Sequence, residues 1–452
     1  VSSKGAKNVT MLQCDILDVP AVAVNLYVND TGTEGVDWKR PNMLLDGCRF
    51  EMRETLAPPF GNHFLYSHPQ PNVRVVNSVF IECRNIAVQF QGESGVAGAG
   101  AQIVANSYFN NNFRHFINAQ CEDDRSRAIV TGCYFNGTGR LEFRGDVIFS
   151  NNFVRGVTSP TLSFTDATTD DTLRKETYLF SNNTFIIAGV NHPNAWASLV
   201  RDGEMIVKFS GNIWRRDPGL ADDTTFFLGA IGSVTNADTL AEVTFENETY
   251  SFDTDGSALG WFLYPAKSYE FIDCRFDGPE AIALTGMASG GTDLRFTDCR
   301  FEYEDSFADS QKVAVSIGHS GWTLLGSGNQ FSDNSYLDND ANVSGFLEFA
   351  DRRNPTSITA AATVYVDPSY DTHVVTGTTT ISTISIGVTG NVAANAAATN
   401  HAKLWTGEVT LIVPSGLTLN SGGNIDNGPY TSSGADAITL VRQASGNWLI
   451  LE

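Results

Sequence analysis

Two successive stretches, Tyr269-Glu270-Phe271-Ile272-Asp273-Cys274-Arg275-Phe276 and Asp293-Leu294-Arg295-Phe296-Thr297-Asp298-Cys299-Arg300-Phe301, alternate apolar and polar residues, break at Asp-Cys and close on Phe. A period of two marks strands with one buried face. The same phrase returns at Leu45-Asp46-Gly47-Cys48-Arg49-Phe50, Thr131-Gly132-Cys133-Tyr134-Phe135, Ser150-Asn151-Asn152-Phe153, Asn182-Asn183-Thr184-Phe185 and Gly211-Asn212-Ile213-Trp214. Between closing aromatics the step varies from 18 residues (Phe135 to Phe153) to 36 (Trp214 to Tyr250). Variable insertions into a fixed unit are the signature of an internal repeat.

A second strand-like run lies between successive copies, as in Ile86–Phe90, Leu141–Arg144, Leu162–Thr165, Ala281–Thr285, Val313–Ile317 and Leu347–Phe349. Each repeat therefore reads as strand, turn, strand, strand. Helical repeats would need apolar residues at three- and four-residue spacing, and propeller blades would be more regular in length, with signature dipeptides that this chain lacks. Asn, Asp and Gly at the break tolerate the left-handed backbone that bends a strand sharply into the next. The pattern predicts an all-β chain: a right-handed parallel β-helix over residues 1–353, with one repeat per coil. From residue 354 the composition shifts to Thr, Ala, Gly and Val, with only Lys403 and Arg442 as basic residues. Short strands near 362–366, 380–386, 409–413 and 437–441, separated by polar turns, predict a small antiparallel β-sandwich over 354–452.

Charge narrows the choice of partners. With 29 basic and 51 acidic residues the chain carries a formal charge of −22, so nucleic acid and anionic membranes are poor partners and an uncharged ligand suits it better. No apolar run reaches the length of a membrane span, so no membrane insertion is expected. Of seven cysteines, Cys48, Cys133, Cys274 and Cys299 share one phase of the repeat, which reads as a buried column of small apolar residues. CxxC and His-rich spacings are missing, so neither metal nor cofactor is expected. Free thiols point to assembly in a reducing cytoplasm, even for a product that works outside the cell. The chain enters a repeat almost at once, at Asn8-Val9-Thr10-Met11-Leu12. An open first coil exposes unpaired edges, so upstream sequence that caps or continues the solenoid is expected.

Residues 354–452 resemble the C-terminal β-domain that follows many phage β-helices, through His373-Val374-Val375-Thr376-Gly377, Gly407-Glu408-Val409-Thr410-Leu411-Ile412-Val413 and Gly446-Asn447-Trp448-Leu449-Ile450. The chain thus resembles a bacteriophage tailspike, and its solenoid resembles the pectate-lyase-like β-helix in architecture alone. The resemblance implies a homotrimer in the virion, joined to virion-anchoring sequence or other tail proteins. Such a protein acts at the bacterial surface, where it binds a polysaccharide and often cleaves it. No catalytic motif of the family maps onto these residues, and the family includes members that bind without cleaving.

Candidate chemistry comes from aligning the second-strand runs. Placing Phe143, Phe164 and Val200 in one inward phase turns Glu142, Ser163, Arg144, Thr165 and Arg201 outward, with Asp166 and Asp202 just beyond. Neighbouring coils lie ~4.8 Å apart, and carboxyl separations of about 5–5.5 Å suit retaining glycoside hydrolysis while about 6.5–9.5 Å suit inversion. Asp166 and Asp202 are the expected acid and nucleophile or base, helped by Glu142 and positioned by Arg144 and Arg201. An Asp after a strand is equally an ordinary turn residue. Glu122 and Asp124, beside Arg125 and Arg127, form a second candidate cluster whose plain alternative is a solvated loop of ion pairs. Gln91 and Gln120 complete the expected substrate-binding set. Trp196, in a Pro/Asn loop, offers a sugar-stacking surface, whereas Trp214 falls in the closing-aromatic phase and is expected in the core. The histidines His63, His68, His115 and His192 are scattered, and none has HExxH spacing. A polysaccharide lyase remains open through Arg144 and Arg201, and so does a non-catalytic adhesin.

Overall fold

The computed structural model describes residues 2–4, 8–18, 22–27, 42–52, 63–68, 72–90, 100–111, 114–120, 126–157, 161–164, 176–188, 197–199, 205–219, 226–231, 241–251, 258–263, 266–277, 282–284, 292–302, 313–317, 322–327, 329–331, 336–339, 344–345, 356–366, 372–386, 407–443 and 445–451. Every element among them is a strand or a turn, and two compact units are formed, Val1–Phe252 and Asp253–Glu452.

In the first unit each coil contributes one strand to each of three parallel sheets. The leading sheet holds Asn8–Leu12, Asn42–Asp46, Asn72–Val76, Gly100–Ala105, Ser126–Thr131, Asp146–Ser150, Glu176–Ser181, Met205–Ser210 and Ala241–Glu246. A two-residue corner leads into the closing sheet, which runs from Asp15–Leu17 through Tyr108–Asn110, Tyr134–Gly137 and Phe153–Gly156 to Thr249–Ser251. The lateral sheet follows, with Val22–Tyr27, His63–His68, Ile86–Phe90, His115–Gln120, Arg140–Arg144, Leu162–Phe164, Ala197–Leu199 and Phe226–Ile231 among its strands. Chain order and spatial order coincide in all three, which defines a parallel β-helix.

The corner explains the repeat. Its first residue takes a positive φ: 51° at Asn77, 50° at Asn106, 65° at Gly132, 56° at Asn151, 55° at Asn182 and 69° at Gly211. Asn and Gly reach this left-handed region at least cost, which is why they recur there. The second corner residue points inward, so Cys48, Ser78, Ser107, Cys133, Asn152, Asn183, Asn212 and Glu248 form one buried column. Because the backbone turns there, the amide of each inward residue has no strand opposite it to accept its proton. The side chain on the next coil supplies the acceptor: Cys133 N donates to Asn152 Oδ1 (2.8 Å), Asn152 N to Asn183 Oδ1 (2.9 Å) and Asn183 N to Asn212 Oδ1 (2.9 Å). Each Asn Nδ2 in turn donates to a backbone carbonyl of the preceding coil, Val130, Phe149 and Phe180 respectively. The expected cysteine column is therefore a polar one. Its thiols donate to carbonyls, as from Cys133 Sγ to Thr131 O at 3.4 Å, and burial pushes the Cys133 thiol up to about 12.

Beside this column the closing aromatics stack through the interior. Phe50, Phe80, Phe109 and Phe135 follow one another at centroid distances of 5.0, 4.7 and 4.8 Å, and Phe185 packs on the buried Trp214 at 4.1 Å. One member differs from expectation. Phe135 pairs with Val154, and Phe153 pairs with the exposed Tyr134, so the residue after Phe153 closes that coil. Val154 is buried and Phe153 faces outward, stacked at 4.8 Å on Tyr134, which itself stacks on Tyr108 at 5.2 Å.

Within the second unit, Ser268–Ile272, Thr292–Thr297 and Trp322–Ser327 repeat the leading sheet, with corner residues Asp273 and Asp298 at φ 51° and 54°. Cys274 and Cys299 are the buried second corner residues, and Phe276 stacks on Phe301 at 4.9 Å. From Thr356 onward the pattern changes to a mixed sheet. Thr356–Thr359, Thr372–Thr376 and Glu408–Val413 are parallel neighbours, whereas Asp436–Arg442 joins Glu408–Val413 and Trp448–Leu451 antiparallel. The expected antiparallel sandwich is thus corrected to a mixed-sheet domain. Asn424 clamps it by bonding both N and O of Ile384, to whose carbonyl the Trp448 indole also donates.

Candidate functional site

From Asn25 to Ser163 the lateral sheet carries one polar side chain per coil on the side turned from the core, with Asn118 and Ser163 buried. Strand pairing places Asn25 beside Tyr66, Tyr66 beside Gln89, Gln89 beside Asn118, Asn118 beside Glu142, and Glu142 beside Ser163. The alternate positions Leu65, Val88, Ile117, Leu141 and Leu162 point inward and are fully buried, which fixes the direction of the polar set. Glu142 therefore sits mid-face, on the strand Arg140–Arg144, with Asn118 on one flank and Ser163 on the other.

His115 joins this group although the sequence offered no motif for it. Its Nε2 lies 2.8 Å from Glu142 Oε2, with side-chain exposures of 5% and 17%. The pairing register shifts between His115 and Ile117, so His115 opposes Arg140 while Ile117 opposes Leu141. Such a bulge re-aims a side chain. The next residue, Phe116, is buried against Phe109 and Phe135, which leaves His115 on the outer side of the strand. The 27-residue separation of His115 and Glu142 is one coil, and this was the only trace of the pair in the sequence. Among the described residues, His115 Nδ1 and Asn118 Oδ1 are buried without a hydrogen-bond partner. Two coils from His115, burial, then the Arg114 charge, then His115 itself depress His63 to about 4, which keeps that ring neutral at physiological pH.

Arg144 lies in the same outward phase, two residues beyond Glu142, with its backbone opposite Gln120. The side chain of Gln120, and Asp166, Asp202, Arg201, Glu122, Asp124, Trp196 and Gln91, lie outside the described residues. Phe143 does pair with Phe164 as expected, but the next step does not follow the expected alignment. Leu162 pairs with Ala197 and Ser163 with Ser198, so the residue in phase with Phe164 is Leu199, one before Val200.

A second outward surface was missed altogether. On the closing sheet the exposed Tyr108 and Tyr134 and the half-buried Phe153 stack beside Asn110, Asn136 and Arg155, and Arg155 Nε bonds Asp217 Oδ2 at 2.5 Å. Rings stacked along the coil axis cover one another's faces and present only their edges, so they offer no platform for a sugar. Trp214 is buried, as its phase indicated, and donates to Glu248 Oε2 at 2.6 Å. Among the described residues no three His, Cys, Asp or Glu side chains come together as a metal ion would require. No family model, curated protein or solved structure matches the chain.

Proposed function

We propose that the chain is the receptor-reading rod of a bacteriophage tailspike: it binds a bacterial surface polysaccharide and cleaves it by glycoside hydrolysis, working as a homotrimer on the virion. The observation that carries this reading is the lateral face, where Gln89, Asn118, Glu142 and Ser163 stand on consecutive coils. Hydroxyl and amide groups repeating every ~4.8 Å on a rigid sheet suit an extended, hydroxyl-rich polymer. The charge of −22 favours a ligand with little negative charge of its own. Glu142 supplies one carboxylate. A second from a neighbouring coil would lie within the range of separations that glycoside hydrolysis uses, one acting as acid and the other as nucleophile or base. Asp166 and Asp202 are the carboxylates to substitute in the search for it.

Incubating the protein with capsule or lipopolysaccharide of candidate hosts, then sizing the polymer, tests this reading. Shorter chains with new reducing ends are expected. Shorter chains carrying the ultraviolet absorbance of an unsaturated uronate would make the protein a lyase, and bound but unshortened polymer would make it an adhesin.

A further inference from the structure

We infer that His115 is the positioning residue of Glu142, holding its carboxylate at one place on the lateral face so that it meets the polysaccharide in a fixed orientation. The inference rests on the cleaving function proposed above and adds a residue to it. Three observations converge. The register against Arg140–Arg144 shifts between His115 and Ile117, so the contact forms where the ladder is irregular. The contact is 2.8 Å, inside the range of a charge-assisted hydrogen bond. His115 is itself 4% exposed, so its ring is immobilised by packing while Glu142 stays partly open to solvent. A buried rigid donor behind a more exposed acceptor is the arrangement that holds a working carboxylate in place.

The chemistry is consistent with that role. A carboxylate oxygen only accepts, so the proton of this bond sits on Nε2. One such bond fixes the rotamer of Glu142 without exhausting it, since a carboxylate offers about four lone-pair directions. Misplacement of a reacting group by about 1 Å can lower a rate by ~10²-fold.

The test compares His115→Leu and His115→Gln with the unaltered protein, on host polysaccharide fragments of defined length. Leu removes the donor, whereas Gln carries an amide that reaches the same carboxylate. In His115→Leu, kcat is expected to fall by about 10²-fold with KM changed far less; His115→Gln is expected to recover most of kcat. A merely structural histidine would give the reverse pattern, with melting temperature falling and kcat per folded molecule unchanged. If the Leu variant does not fold, the Gln variant decides: a folded His115→Gln protein with kcat as low as Glu142→Gln overturns the positioning role. Unaltered kcat in both His115 variants also overturns it while leaving the cleaving function intact. Polymer that the unaltered protein binds but never shortens overturns the function and the inference together.

Discussion

Two columns of polar side chains stand on consecutive coils within residues 1–252, the lateral one running from Asn25 to Ser163, and they differ in what their atoms meet. In the corner column, Asn152, Asn183 and Asn212 each accept an amide proton from one neighbouring coil and donate to a carbonyl, ending on Glu248, which accepts from Asn212 N, Asn212 Nδ2 and Trp214 Nε1. In the lateral column, Asn118 Oδ1 and its neighbour His115 Nδ1 meet no partner among the described residues. The same repeat arithmetic builds both. A saturated column holds the coils together, because every buried polar atom that lost water has recovered a bond. A column with buried polar atoms left over stabilises less and has capacity for a ligand. Position in the repeat is alike for both columns, whereas the state of their hydrogen bonds among the described residues differs.

The sharpest way to break this contrast is Glu142→Gln. The substitution keeps shape and an acceptor for His115, so the melting temperature is expected to stay close to that of the unaltered protein. Polysaccharide cleavage, measured as reducing ends released, is expected to fall by roughly 10²–10⁴-fold. Near-normal turnover would remove Glu142 from the site.

Next comes Glu248, where the corner column meets a charge. Burial raises its carboxyl from 4.5 to about 8, outweighing the opposing effect of the Trp214 and Asn212 donors. Between these values the native state holds a proton that the unfolded chain has released, so stability falls as pH rises. The contribution is fully present below pH 4.5 and gone above about pH 8. Glu248→Gln is expected to flatten this slope, with a difference between the two proteins on the order of 5 kcal/mol across the window. Denaturation midpoints at several pH values measure it, and parallel pH curves for both proteins would contradict the assignment.

Asn183→Ala is expected to cost about 3 kcal/mol, because it strips the acceptor from the buried Asn152 amide and the donor from Phe149 O. Urea unfolding reads this directly. A loss as small as that of an exposed substitution would mean that the column is not what fastens the coils. Last, Tyr134→Ser on the exposed stack with Tyr108 and Phe153 is expected to cost under ~1 kcal/mol and to leave cleavage unchanged, since those rings present only edges. Lost polysaccharide binding in this variant would move the site to the closing sheet.

Much of the solenoid was legible in the chain itself. Alternation with a period of two specified strands, Asn and Gly at Asn151, Asn182 and Gly211 specified the left-handed corner, and the spacing of Phe50, Phe80, Phe109 and Phe135 specified one aromatic per coil. These are local properties, set by backbone sterics and by which face of a strand is apolar. The tertiary structure alone decided which of two adjacent residues turns inward. Phe153 and Val154 are both apolar, and only the pairing of Tyr134 with Phe153 sends Val154 to the core. Likewise the apolar pattern put Val200 in the phase of Phe164, whereas the pairing of Leu162 with Ala197 and Ser163 with Ser198 carries on to Leu199. His115 meets Glu142 where the register of one strand shifts against the next, which no spacing rule anticipates. Register is fixed by contacts between strands a full coil apart, and since side chains alternate at every residue, one inserted position exchanges inside for outside.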